Sequence, residues 1–211
     1  MMLRRSFNLF AVAVLSLGAT LVHATEWKAG EHYTVLKQPV PTADSNKIEV
    51  VEAFGYSCPH CNAFEPMLHA WSQKLADDVT FENMPVVFGR SWEPLARAYY
   101  VGKLLGVKDK VHQSMYDAIH VERRRFRSPE DIAEVFEEHG VSEQDFLKTY
   151  NSFAVGMQLK QSDARVRGYQ IQGVPSIIVN GKYLVTSTLT GSHANMLKVA
   201  EHLIEKERNA K

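Results

Sequence analysis

An apolar stretch from Lys47 to Tyr56 runs into Cys58-Pro59-His60-Cys61, where a helical pattern begins at Pro59. No other feature constrains the fold as much as this junction. Ile48, Val50, Val51, Ala53 and Phe54 are too continuous for a half-exposed strand, so a strand buried on both faces is expected. From Pro59 through Ala76, the residues Phe64, Met67, Leu68, Trp71 and Leu75 recur at helical spacing. A second strand pattern follows from Val79 to about Val87.

The chain has 2 cysteines, and both lie in this junction. A structural zinc site takes four ligands, and no second cysteine pair exists to supply them. A haem attachment motif needs His after the second cysteine, where this chain has Asn62. What remains is a dithiol that cycles between reduced and oxidised states. With strand, helix and strand around it, the pair marks a thioredoxin-like opening.

The N-terminus points to an oxidising compartment. Arg4 and Arg5 precede an apolar run from Leu9 to Val22, and Val22-His23-Ala24 offers small residues for cleavage after Ala24. This is the pattern of a secretory signal peptide over residues 1–24. The alternative, a membrane anchor, requires a longer run than this one. Disulfides persist outside the cytoplasm, but one Cys-x-x-Cys closes too small a loop to act as a staple. Removing Arg4 and Arg5 takes the 24 basic residues to 22, against 24 acidic ones. That near-neutral balance argues against nucleic acid or an anionic membrane as the main partner.

Further along, Tyr33 to Leu36 reads as a short edge strand before Pro39-Val40-Pro41. Roughly Gly89 to Gly168 is helical in pattern. Trp92, Leu95, Ala96 and Tyr99 form one stripe, and Ile132, Val135, Phe136 and His139 form another. Ser128-Pro129-Glu130-Asp131 has the makings of a capping box with Pro129 at the first helical position. Gly140 is placed to end that helix and Ser142 to cap the next. Strands return with Ser176–Val179 and Lys182–Val185, joined by a type I′ turn at Asn180-Gly181. A last amphipathic helix carries Met196, Leu197, Ala200, Leu203 and Ile204. The order βαβ, several helices, then ββα fits an α/β thioredoxin fold with an inserted all-helical domain. Its thioredoxin-like part would comprise 25–88 and 169–211, and its insertion 89–168.

Cys58-Pro59-His60-Cys61, Gly173-Val174-Pro175 and the strand Glu49 to Phe54 together resemble the DsbA family of periplasmic thiol oxidases. The similarity spans the chain beyond the signal peptide, including the turn from Val179 to Tyr183. Pro-His between the cysteines and Val before the late proline are similar to DsbA. Thioredoxins usually carry Gly-Pro between their cysteines. The isomerase family DsbC has Gly-Tyr there, usually Thr before the proline, and an N-terminal dimerisation domain. The resemblance implies a periplasmic oxidase that passes disulfides to secreted proteins with free thiols. It implies reoxidation by a membrane quinone-linked partner of the DsbB type, with no bound cofactor or metal. A monomer is expected, since no dimerisation segment stands out.

The chemistry of the motif follows if Cys58 caps the helix that opens at Pro59. Its sulfur then faces the free amides of His60 and Cys61 at the positive end of the helix dipole. A protonated His60 adds a positive charge, and Pro59 removes only an amide that has no helical partner. Cys58 is therefore expected to be the attacking and attacked sulfur. Cys61, one turn in, is the more buried, resolving one. By resemblance, Pro175 is cis and sits against the cysteines, and Val174 offers backbone hydrogen bonds to an extended substrate.

Glu52 reads as the one acid of an apolar strand, and by resemblance it handles protons for Cys61. The family often supplies a basic partner from the next strand, but Thr80 to Pro85 contains no Lys or Arg. An unpaired Glu52 would tend to be protonated. Glu65, two turns into the helix, reads as an exposed helix glutamate, with modulation of the site as the alternative. The remaining histidines show no metal-ligand spacing and read as surface or ordinary core groups. Arg123-Arg124-Arg125 and Arg127 read as a solvated loop, and Trp92 with Tyr99-Tyr100 as packing for the insertion. Two alternatives stand beside the oxidase: a reductase or isomerase of the same fold, and a copper metallochaperone using Cys58, Cys61 and a histidine.

Overall fold

The computed structural model describes residues 26–210; the signal peptide assigned to 1–24 lies outside them. The elements in chain order are β1 (Thr34–Val35), β2 (Ile48–Phe54), α1 (Pro59–Ser72), β3 (Val79–Pro85), α2 (Glu93–Leu104), α3 (Lys108–His120) and α4 (Pro129–Glu137). They continue with α5 (Glu143–Tyr150), α6 (Phe153–Gly168), β4 (Ser176–Val179), β5 (Tyr183–Thr186), α7 (Ser187–Thr190) and α8 (His193–Arg208). The sheet order is β1-β5-β4-β2-β3. The pair β2–β3 is parallel, joined through α1, and the other neighbours are antiparallel.

All seven residues of β2 are buried, as its unbroken apolar run requires. Because side chains alternate along a strand, its two faces serve different layers. Ile48 and Val50 pack with Phe64, Leu68 and Trp71 of α1 and with Met196, Val199 and Leu203 of α8. Val51 and Ala53 face Met84, Tyr169, Ile171 and Ile178 on the opposite side. A third core belongs to the helical insertion. There Tyr99, Tyr100, Met115, Tyr116, Ile132, Phe136 and Phe146 pack together, and Phe54, Tyr56, Cys58 and Cys61 join them. The cysteine pair therefore sits where the end of the central strand meets the insertion.

Several local expectations hold. Ser128 Oγ accepts from the Asp131 amide while Asp131 Oδ2 accepts from the Ser128 amide, completing the capping box. Ser142 Oγ accepts from the Asp145 amide at the start of α5, and Gly140 takes the left-handed φ of +82° that ends the preceding turn. Asn180 and Gly181 have φ of +50° and +62°, as a type I′ turn requires. At Gly181 a Cβ would lie 2.0 Å from the Val40 carbonyl oxygen, so the turn has no room for a side chain.

Other boundaries move. α1 ends at Ser72 rather than Ala76, with a turn in which the Leu75 amide donates to the Ser72 carbonyl. Met67 is exposed on α1 instead of joining its apolar stripe. β3 ends at Pro85 rather than near Val87, with the Val86 amide donating a last bond to the Phe54 carbonyl. Pairing after the hairpin resumes at Tyr183, because the Lys182 amide is spent on the turn, donating to the Val179 carbonyl. β1 is reduced to Thr34–Val35, and His139 lies beyond the end of α4. Arg123, Arg125 and Arg127 are exposed between α3 and α4, as a solvated loop demands. Tyr99 and Tyr100 are buried in the insertion core. Trp92 bridges that core and the sheet, its ring lying where a Cβ on Gly55 would be, at 2.2 Å.

Candidate active site

Cys58 is the N-cap of α1, with extended backbone at φ −84° and ψ 116°. Its sulfur accepts from the Cys61 amide at 3.4 Å, and Pro59 occupies the first turn. Both cysteines are unbonded in this structure. The Cys58 thiol is lowered from its ordinary range to about 6. The largest cause is the Cys61 thiol donating to the Cys58 sulfur; burial works against it, and the amides of Cys61 and His60 and the His60 charge reinforce it. Cys61 is fully buried and moves the opposite way, far above the ordinary thiol range. Its hydrogen bond to Cys58 is the largest cause, followed by burial and the Glu52 carboxyl. At neutral pH the pair is thus one thiolate and one thiol. The sequence pointed to the amides and His60 for this effect; the thiol-to-thiolate hydrogen bond depends on side-chain geometry that spacing does not show.

Val174 and Pro175 arrive from the far end of the chain. The Val174–Pro175 peptide is cis, and the Val174 carbonyl oxygen lies 3.5 Å from Cys58 Sγ. Pro175 is buried at the start of β4, while Val174 is partly exposed beside the sulfur. A shallow depression of about 420 Å³ runs past Gln172, Gly173, Val174 and Pro175 toward Thr186 and Leu189. His60 is exposed on the first turn of α1. The ring of His193, at the start of α8, lies 4.9 Å from that of Phe64; burial and the His60 charge lower its pKa.

Behind the cysteines stands a buried polar cluster. Glu52 is wholly buried in β2, directly opposite Asn83 of β3, whose side-chain amide donates to Glu52 Oε2 at 2.7 Å. Glu52 Oε1 has no partner. Burial is the largest cause raising this carboxyl well above its ordinary range, and the neighbouring Glu65 adds to it. The residue facing Glu52 from β3 is thus the neutral Asn83, as the absence of Lys and Arg from Thr80 to Pro85 indicated. Glu65 is a correction: it is 5% exposed, not a solvated helix residue. It occupies the inner face of α1 near Phe64 and Leu68 and points toward His112 of α3, with Oε2 and Nε2 3.4 Å apart. Glu52 is also not the one acid of its strand, for Glu49 is buried on the opposite face and held by Arg165 at 2.6 Å.

Sequence reasoning missed His112, since its partners, Tyr56 beyond β2 and Glu65 of α1, lie far away in the chain. Its Nδ1 lies 2.8 Å from the Tyr56 hydroxyl, and His120 Nε2 lies 2.7 Å from the Tyr56 carbonyl. These contacts clamp the chain two residues before Cys58. No group of three or more metal-binding side chains occurs among the described residues.

Comparison with known proteins gives this geometry a family. The DSBA-like thioredoxin domain matches residues 49–200. This chain belongs to that family. The thiol:disulfide interchange protein DsbA of Pseudomonas aeruginosa is 41% identical over 199 residues, covering 94% of each chain. DsbA of Azotobacter vinelandii is 41% identical over 203 residues, covering 96% of this chain and 94% of its own. The crystal structure of P. aeruginosa DsbA superposes with a TM-score of 0.84 at 42% identity, over 87% of this chain and 96% of the other. DsbA from Xylella fastidiosa gives 0.82 at 35% identity, over 86% and 98%. The fold is therefore the DsbA form of the thioredoxin fold, with its helical insertion, and the chain is a thiol:disulfide oxidoreductase of that family.

Proposed function

We propose that this protein is a periplasmic oxidase that passes the Cys58–Cys61 disulfide to newly secreted proteins. The observation that carries the reading is the opposed ionisation of the two sulfurs, Cys58 held near 6 and Cys61 pushed far up. A substrate thiolate attacks Cys58 Sγ, a substrate–Cys58 disulfide forms, and Cys61 leaves as a thiolate that takes up a proton. A second substrate thiolate then attacks the substrate sulfur and releases Cys58 as a stabilised thiolate. Stabilising the reduced form's thiolate makes the disulfide a stronger oxidant.

In this reading Cys58 is the nucleophile and Cys61 the resolving thiol. His60 stabilises the Cys58 thiolate, and Pro59 opens the helix without wasting a donor. Glu52, neutral by burial, supplies the proton that Cys61 needs. Val174, ahead of the cis Pro175, presents backbone polar groups to an extended client, a mode tolerant of client sequence. The chain acts as a monomer, is exported by residues 1–24, and is reoxidised by a quinone-linked membrane protein of the DsbB type. Residues 25–88 with 169–211 form the thioredoxin-like domain, and 89–168 the inserted one.

Equilibration with glutathione buffers tests the direction of electron flow. A potential near ~−120 mV, that of DsbA, supports the donor; one near ~−270 mV, that of thioredoxin, makes the protein a reductant. Cys58→Ser is expected to abolish oxidation of a dithiol peptide, and Cys61→Ala to accumulate the mixed disulfide with Cys58.

A further inference from the structure

We propose that the loop from Val121 to Arg127 is a docking surface for clients, taking acidic side chains that flank the cysteine to be oxidised. The inference rests on the proposed oxidase activity. The loop lies at the reacting end of the molecule, because α3 runs antiparallel to α1. Lys108 and Asp109 at the start of α3 share a groove with His69 and Ser72. His112 meets Glu65 at 3.4 Å, and His120 at the end of α3 reaches the Tyr56 carbonyl at 2.7 Å. Tyr56 stands two residues before Cys58, so the chain leaving α3 emerges beside the reactive sulfur.

The charge of this loop is local and unspent. Glu122 to Arg127 holds four arginines against one acid, in a chain whose 24 basic and 24 acidic residues balance. Arg124 is used within the fold, binding Glu122 and, at 2.7 Å, Glu138. Arg123, Arg125 and Arg127 are exposed, and their side chains have no partner among the described residues. Asp131 is occupied by the amides of Arg127 and Ser128, and Glu130 stands exposed at the head of α4. Val121, 70% exposed, adds an apolar contact.

The loop is also held in one shape. The Arg124 amide donates to the Ala118 carbonyl at 2.8 Å, the Arg127 amide to Asp131 Oδ2 at 2.6 Å, and Phe126 packs on the insertion core. Arg123 takes φ of +59°, a left-handed conformation that glycine adopts freely and arginine does not. A guanidinium kept where the backbone favours glycine, beside others that are ordered yet unpaired, fits recognition of carboxylates. The occupant is a client rather than a membrane, since a membrane resting on this loop would cover the sulfur beside it.

The test measures reduction of the Cys58–Cys61 disulfide by dithiol peptides that carry a run of Asp or of Asn beside their cysteines. The ratio of the two rate constants is compared between proteins, which cancels what the acids do to the peptide's own thiols. The triple variant Arg123→Gln, Arg125→Gln, Arg127→Gln is expected to lower the Asp-to-Asn ratio about fivefold at low salt. Added salt should lower it in the unaltered protein too. An equal ratio in the two proteins overturns the inference. So does an equal ratio accompanied by binding to phosphatidylglycerol vesicles that the variant loses, which would give the loop to a membrane. If neither peptide is oxidised, the oxidase reading falls and this inference with it. Should the triple variant not fold, Arg123→Gly, which suits the left-handed backbone, decides: a lowered ratio supports the docking surface and an unchanged one overturns it.

Discussion

Glu49 and Glu52 lie three residues apart on one buried strand, yet β2 gives them opposite fates. Glu49 faces the α6 side, where Arg165 binds Oε1 at 2.6 Å and also reaches Glu82 at 2.8 Å. The Ala43 amide donates to its other oxygen at 3.3 Å. Both oxygens are satisfied, and the group ties α6 and the insertion to the sheet. Glu52 faces α1 and Cys61 with one hydrogen bond, one orphaned oxygen and a second acid for a neighbour. Burial alone therefore does not decide whether a carboxyl is fully held; the partners do. A carboxyl that is buried and left half-satisfied is a candidate for function.

Breaking the anchor gives the largest expected effect. Arg165→Met strands Glu49 in the interior and is expected to destabilise the protein by about 3–5 kcal/mol in urea unfolding. The Cys58 thiolate absorbance should still titrate near 6. Removing the half-satisfied carboxyl has the opposite sign. Glu52→Gln keeps an acceptor for Asn83 and avoids burying an ionisable group, so it is expected to stabilise the fold by about 1–3 kcal/mol at pH 7.

Asn83→Lys turns the second environment into the first. The introduced ammonium should bring the Glu52 carboxyl back toward the ordinary range, read by carbon-13 NMR. In that background Glu52→Gln should become destabilising, by about 1–2 kcal/mol.

The smallest effect at neutral pH concerns the sign of pH dependence. An acid raised by folding, as Glu52 is, weakens the protein as pH rises above its unfolded value near ~4.3. Cys58, lowered to about 6, does the reverse. Its contribution to the reduced form is absent below about 6, grows as pH rises, and is complete near the unfolded value of ~8.5. Reduced protein compared with Cys58→Ser should gain on the order of 1 kcal/mol by pH 7. A flat difference across this window would contradict the Cys58 thiolate.

The reading of β2, α1 and the Asn180-Gly181 turn from sequence succeeded because each rests on local rules: an apolar run, a cap, a left-handed turn residue. The placement of the two cysteines was legible for the same reason, since one residue caps a helix and the other lies buried a turn inside it. Glu65 was not. An acid on a helix reads as solvated unless the element covering it is known, and α3 arrives more than forty residues later. Arg165 with Glu49, Val174 with Cys58, and His112 with Tyr56 share this character, joining residues whose sequence separation is 116, 116 and 56. The lack of a basic partner for Glu52 was visible only as an absence, with no Lys or Arg in Thr80 to Pro85.

The central strand β2 pairs with β3 on one side and with β4 on the other, Glu52 opposite Ile177. A chain emerging N-terminus first therefore presents its cysteines, α1 and the whole helical insertion before the strand that closes the sheet exists. Until β4 appears, the Cys58 sulfur has its helix amide but no Val174 edge beside it. The surroundings of the Cys58 sulfur are thus complete only after the whole insertion has been made.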